Sequence, residues 1–108
     1  MRSFAAGSPD AIAAGPQAQA LFTALSQTVF NTTLNSAIAA SGVQVIQFNT
    51  SALLNEIIAS PSLYGFVNAT QRACTTASSL NCTPSTLVAP NANMNYVFAD
   101  GVHPTTGA

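Results

Sequence analysis

The sequence VQVIQF occupies residues 43–48, and this stretch decides the predicted fold class. Its β-branched and apolar residues are typical of a buried strand. A helical pattern precedes it over residues 17–40, where apolar side chains recur at spacings of three and four, and a shorter one follows over residues 52–59. Helix, strand and helix in this order predict an α/β protein, in which helices cover a parallel sheet.

Local signals mark the ends of these elements. Gly42 is expected to end the first helix, because glycine suits the left-handed position that follows a helix. Asn49 begins a capping sequence for the second helix, and Pro61 is expected to stop that helix.

The outer segments carry weaker patterns. Residues 1–16 are rich in Ala, Gly, Pro and Ser and are predicted to form a loop. Residues 62–95 are predicted to be a long irregular excursion. Residues 96–98 suit a short strand or a buried extended segment, and Pro104 is well placed in the first turn of a further helix.

Composition excludes several classes of function. The chain has 108 residues, which suits one domain, and only 5% of them are charged, against about 25% in an average soluble domain. Lysine is absent, and two arginines cannot form a basic surface for nucleic acid or for a membrane-surface helix. No apolar run approaches the roughly 20 residues of a membrane span, and residues 1–15 lack the pattern of a signal peptide. Low charge with abundant Ala, Thr, Ser and Asn is typical of secreted or cell-surface bacterial proteins.

The two cysteines, Cys74 and Cys82, lie eight positions apart in a Thr- and Ser-rich stretch. Their spacing matches neither a redox CxxC motif nor a zinc site, and a single histidine offers no supporting ligands. A local disulfide would stabilise the chain by roughly 2–3 kcal/mol and would favour an oxidising compartment. The alternative is two free thiols in a reducing compartment.

The sequence DGVHPT at residues 100–105 contains the one histidine of the chain, His103, and one of its three carboxylates, Asp100. A spacing of three with glycine between them lets the carboxylate fold back onto the imidazole. A carboxylate on one ring nitrogen fixes the tautomer and leaves the other nitrogen free to accept a proton. The alternative is an ordinary turn that carries a surface Asp and a surface His.

Residues 96–106, YVFADGVHPTT, resemble the last conserved block of the GDSL, or SGNH, family of serine esterases and lipases. A looser similarity extends over most of residues 9–108. The sequence Pro9-Asp10 resembles the proline-aspartate loop of that family, and residues 43–68 resemble autotransporter-type members, which often carry cysteines before the last block.

The resemblance implies a partial three-layer α/β/α fold of the flavodoxin-like type. Residues 43–48 would be its last core strand, and the helix of residues 17–40 would pack on one face of the sheet. The implied activity is carboxylic ester hydrolysis through an acyl-serine, on a small ester or lipid substrate and without a metal or organic cofactor. His103 would take the serine proton and later protonate the leaving alcohol, while Asp100 would orient the ring.

The family nucleophile is missing from these residues. The chain contains no Gly-Asp-Ser tripeptide and no GxSxG elbow, and the oxyanion Gly and Asn of the family belong to earlier blocks. Residues 1–108 are therefore expected to be the carboxyl-terminal portion of one SGNH domain, inactive without its amino-terminal half. The alternative is a non-catalytic secreted or cell-surface segment of structural or adhesive function.

Overall fold

The computed structural model describes residues 7–108, so the loop predicted for residues 1–6 lies outside it. The first element is helix α1 (Pro9–Ala14), which corrects the loop prediction for these positions. Ser8 precedes α1, and its hydroxyl accepts a hydrogen bond from the Ala11 amide at 3.3 Å. Proline as first residue needs no amide partner and already has a helical φ angle, so a helix can begin in this proline-containing stretch.

A nearly continuous helical stretch follows, which confirms the helix predicted for residues 17–40. It consists of helix α2 (Pro16–Thr23), a π-helical segment (Ala24–Asn31) and helix α3 (Thr32–Ser41). Gly42 ends it in the left-handed conformation with φ 69°, as predicted.

Residues 43–48 do not form the predicted strand. They have no regular secondary structure, and the Ile46 side chain is fully exposed. A strand requires a neighbouring strand to pair with its backbone, and none lies beside this segment among residues 7–108. Residues 43–48 are thus not the last core strand here, and residues 17–40 do not pack on a sheet that contains them.

Helix α4 (Thr50–Ala59) confirms the second predicted helix. Asn49 caps it, because its side-chain oxygen accepts a hydrogen bond from the Ala52 amide at 2.9 Å. The helix ends before Pro61, which begins a 3₁₀ turn. The inner face of α4 carries the buried Ile57 toward the core.

The described residues contain a two-stranded parallel sheet of β1 (Asn68–Arg72) and β2 (Tyr96–Phe98). Strand β2 confirms the extended segment predicted at residues 96–98. Strand β1 corrects the irregular excursion predicted for residues 62–95, as does the short helix α5 (Ala92–Asn95). The sequence of β1, NATQR, has little strand character; it forms a strand because β2 supplies its hydrogen-bonding partner.

The core lies where α4 meets this sheet. Its buried members are Ile57, Phe66, Ala69, Val97 and Phe98. Each large buried side chain stabilises the folded state by about 1.5–3 kcal/mol relative to an exposed one. Because Val97 and Phe98 of β2 belong to this cluster, it holds in place the strand from which the following segment starts.

The chain after β2 turns back and runs beside the strand instead of forming the helix predicted from Pro104. Pro104 forms an antiparallel bridge with Phe98, and the Thr105 amide donates to the Val97 carbonyl at 2.9 Å. The Thr105 hydroxyl also donates to the Tyr96 carbonyl at 2.6 Å. These contacts hold residues 104–105 extended, which is why the sequence preference for a helix is not expressed. Among residues 7–108, no helix is long and apolar enough to cross a membrane.

Candidate active site

Asp100 and His103 lie in the turn that follows β2, and the structure brings them together. One oxygen of Asp100, Oδ1, accepts hydrogen bonds from the backbone amides of Val102 at 3.0 Å and His103 at 2.9 Å. These two bonds form a tight turn around an acidic side chain that is almost fully buried.

The imidazole of His103 packs against this carboxylate. Its Nδ1 atom lies 3.0 Å from Oδ1 and 2.9 Å from Oδ2 of Asp100. An ionised carboxylate can only accept hydrogen bonds, so Nδ1 carries the proton and Nε2 keeps its lone pair when the ring is neutral. The His103 side chain is 52% exposed and that of Asp100 only 4%, so the ring faces solvent while its partner is enclosed.

A third backbone amide reaches Asp100 from a distant part of the chain. The Ser79 amide donates to Oδ2 at 2.7 Å. Ser79 begins a 3₁₀ turn in the loop between Cys74 and Cys82, which the structure joins by a disulfide with sulfur atoms 2.07 Å apart. The loop staple considered from the sequence is therefore formed, and free thiols at these two positions are not.

These contacts set the charge of Asp100. Burial raises the pKa of the Asp100 carboxyl, but the amides of His103, Val102 and Ser79 and the His103 side chain lower it by more. The net result is an Asp100 pKa held well below its usual range. The carboxylate is thus ionised at neutral pH, which is the state that can stabilise a protonated imidazole.

Asp10, which forms an ion pair with Arg72, contacts the turn of residues 100–103. The Asp10 amide donates to the Gly101 carbonyl at 3.0 Å, and the Asp10 carboxylate lies 2.9 Å from the Arg72 guanidinium. A Cβ atom on Gly101 would overlap that carboxylate, so a larger residue at this position would have to displace the Asp10 side chain.

Sequence reasoning missed Ser79, Asp10 and Arg72 as neighbours of the pair. The contribution of Ser79 is a backbone amide, so its side chain offers no signal. Asp10 and Arg72 are two of the few charged residues, but only the fold shows that they meet. In residues 7–108, no cluster of three or more His, Cys, Asp or Glu side chains could hold a metal ion.

An open groove of about 950 Å³ lies elsewhere, between the helical stretch and the exposed segment that follows it. Phe30, Leu34 and Ile38 line one side, and residues 45–52 line the other. Neither Asp100 nor His103 lines this groove, so it is separate from the Asp100–His103 pair.

Part of the chain is similar to a known protein. No protein-family model matches the sequence. The chain is 34% identical over 64 residues to Lipase 1 of Photorhabdus luminescens, an alignment that covers 59% of this chain and 10% of that lipase. The chain is thus similar to a lipase in part of its sequence, and the alignment represents about a tenth of the length of that relative.

Proposed function

We propose that these 108 residues contribute the acid–base pair of a carboxylic ester hydrolase of the GDSL type. The observation that carries the proposal is the buried, ionised Asp100 on Nδ1 of a half-exposed His103. The partial similarity to a lipase supports it. The nucleophilic serine is proposed to lie outside residues 1–108, because they contain no Gly-Asp-Ser tripeptide.

The reaction would use Nε2 of His103 in both directions. In the first step Nε2 accepts the serine proton while the serine oxygen attacks the ester carbonyl, and the negative charge of Asp100 stabilises the imidazolium. The imidazolium then returns the proton to the leaving alcohol as the carbon–oxygen ester bond breaks. In the second step the same nitrogen activates water, which hydrolyses the acyl-serine to the acid and regenerates serine.

We propose a fold, a substrate class and a cellular location as well. We place the chain in a partial three-layer α/β/α domain; the parallel β1–β2 pair with α4 against it supports this. The substrate would be a small ester or a lipid. A secreted or bacterial cell-surface protein is proposed, supported by the disulfide, because disulfides persist in oxidising compartments.

The test compares the product of the complete reading frame with the 108-residue chain. Both are assayed on a short-chain p-nitrophenyl ester and treated with a serine-reactive phosphonate. We expect the complete protein to turn over and to be labelled at one serine outside these residues, and the 108-residue chain to show neither. Stoichiometric labelling of the chain at one of its own serines, or an inert complete protein, would overturn the proposal and favour a structural or adhesive segment.

A further inference from the structure

We infer that the loop closed by the Cys74–Cys82 disulfide is a positioning element for Asp100, acting through the backbone amide of Ser79. The inference rests on the proposed function, since it concerns how the acid of the pair is held. It assigns to the disulfide a role at the acid–base site in addition to its effect on stability.

The division of donors between the two carboxylate oxygens is the first argument. Oδ1 of Asp100 is held by amides of its own turn, those of Val102 and His103. Oδ2 receives the Ser79 amide at 2.7 Å, from 21 positions earlier in the chain. Two fixed points define the rotation of the carboxylate about its Cβ–Cγ bond. The Ser79 amide therefore helps set the plane in which the carboxylate meets Nδ1 of His103.

The anchoring of the loop is the second argument. The Cys74 amide donates to the Ala99 carbonyl at 3.0 Å, so one end of the disulfide lies beside the residue that precedes Asp100. The other end, Cys82, donates its amide to the Ser79 carbonyl at 3.1 Å and closes the 3₁₀ turn. The disulfide thus connects the turn that presents Ser79 directly to the sheet position next to the carboxylate.

The local backbone allows the Ser79 amide to be removed alone. Ser79 is the first residue of its 3₁₀ turn, where proline is tolerated, and Ser78 has φ −120° and ψ 138°, which suits a residue before proline. Ser79→Pro removes the donor to Asp100 while keeping the turn. Ser79→Ala keeps the donor and is the matched control.

The experiment is a carboxyl ¹³C NMR titration of Asp100 in the 108-residue chain, with ring ¹⁵N spectra of His103. We expect Ser79→Pro to raise the Asp100 pKa by about one unit and to reduce the fraction of ring protonated on Nδ1, because one hydrogen bond to the charged form is lost. Ser79→Ala should titrate as wild type. The double variant Cys74→Ser, Cys82→Ser should shift in the same direction as Ser79→Pro.

An internal reference makes the result specific. The Val97 amide signal reports whether the sheet is intact. If the double cysteine variant loses that signal, its sheet is not intact, and the inference is then judged on Ser79→Pro alone.

Two results would overturn the inference. If Ser79→Pro titrates like Ser79→Ala, the amide does not position the carboxylate. If opening the disulfide with the sheet intact leaves Asp100 unchanged, the disulfide has no part in it. Neither measurement uses ester hydrolysis, so an Asp100 shift in the 108-residue chain would support the positioning contact even if the product of the complete reading frame proved inert, a result that rejects the proposed function alone.

Discussion

The carboxyl-terminal region, residues 66–108, and the helical region, residues 16–48, are stabilised in different ways. The first contains the two strands, the disulfide and the turn of residues 100–103, and Val97 and Phe98 are fully buried in it. In the second, Ser26 is the one fully buried position, and large apolar side chains such as Val29 and Phe48 are exposed.

The difference shows what each kind of structure requires. Helix hydrogen bonds join residues four or five positions apart, so the helical stretch forms without covering its apolar face. The turn of residues 100–103 also receives a contact from a distant part of the chain, the Ser79 amide on Asp100. The radius of gyration of 15.4 Å exceeds the about 13 Å expected of a compact chain of this length, in agreement with an extended helical region.

The largest expected effect concerns Asp100 and His103, the proposed pair in the carboxyl-terminal region. In the proposed hydrolase, His103→Ala should lower turnover by about 10⁴-fold or more, because the proton acceptor is lost. Asp100→Asn keeps the shape but loses the negative charge, and should lower it by roughly 10²- to 10⁴-fold. Steady-state ester hydrolysis measures both.

The control for this pair is a charged residue outside the site. Glu56 lies on α4, and Glu56→Gln should retain wild-type turnover. Thermal melts by circular dichroism should be little changed in His103→Ala. If His103→Ala keeps more than about a tenth of the activity with an intact fold, a loss below about 1.4 kcal/mol of transition-state stabilisation, the turn is structural and not catalytic.

The second prediction is that acid lowers the thermal stability of the carboxyl-terminal region through Asp100, and not that of the helical region. Because the folded pKa of Asp100 lies below the unfolded value of about 3.9, its ionisation stabilises the carboxyl-terminal region above that pH, and this contribution is lost as the pH falls further. The thermal midpoint, followed at the Val97 methyl signals, should drop between pH 5 and pH 2. The drop should be smaller in Asp100→Asn.

The helical region serves as the reference in the same titration. Signals from α3, which carries no charged residue, should not follow the Asp100 titration. Equal drops in wild type and Asp100→Asn would show that other carboxylates account for the acid sensitivity.

The third prediction tests the exposed apolar surface of the helical region. We expect the 108-residue chain to self-associate through it, or to be loosely packed there. Ile46→Asp should weaken self-association about tenfold or more, since an isoleucine side chain contributes about 1.5–3 kcal/mol when buried. Sedimentation velocity over a concentration series measures this.

Gln44→Asp is the matched control, because it adds the same charge in the same exposed segment without removing an apolar side chain. It should change the association less than Ile46→Asp does. A monodisperse wild-type monomer with one cooperative thermal transition would contradict the comparison itself.

The smallest expected effect is that of the ion pair beside the turn of residues 100–103. Asp10 and Arg72 are about half exposed, so Arg72→Gln should lower the unfolding free energy of the carboxyl-terminal region by less than about 1 kcal/mol. Gly101→Ala should also lower it, because the new methyl group displaces the Asp10 carboxylate. Asp10→Ala should recover part of that loss, which local melts at the Val97 signals would detect.

Locally encoded features were predictable from the sequence. The long helix and its end at Gly42, the capped helix after Asn49 and the extended segment at 96–98 depend on periodicity, capping and short-range preference. The approach of Asp100 to His103 was predictable as well, because only three positions separate the two residues and glycine follows the acid.

Tertiary structure decided the strands and the surroundings of the pair. Residues 43–48 have the composition of a strand and lack a neighbour, whereas the polar β1 became a strand because β2 lies beside it. Pro104 forms an antiparallel bridge with Phe98, although proline there favours the start of a helix. The Ser79 amide reached Asp100 only through the folded loop. At β1 and at Ser79 the deciding hydrogen bonds join residues far apart in the chain, and residues 43–48 lack such a partner, so these outcomes are fixed by the packing of the whole molecule.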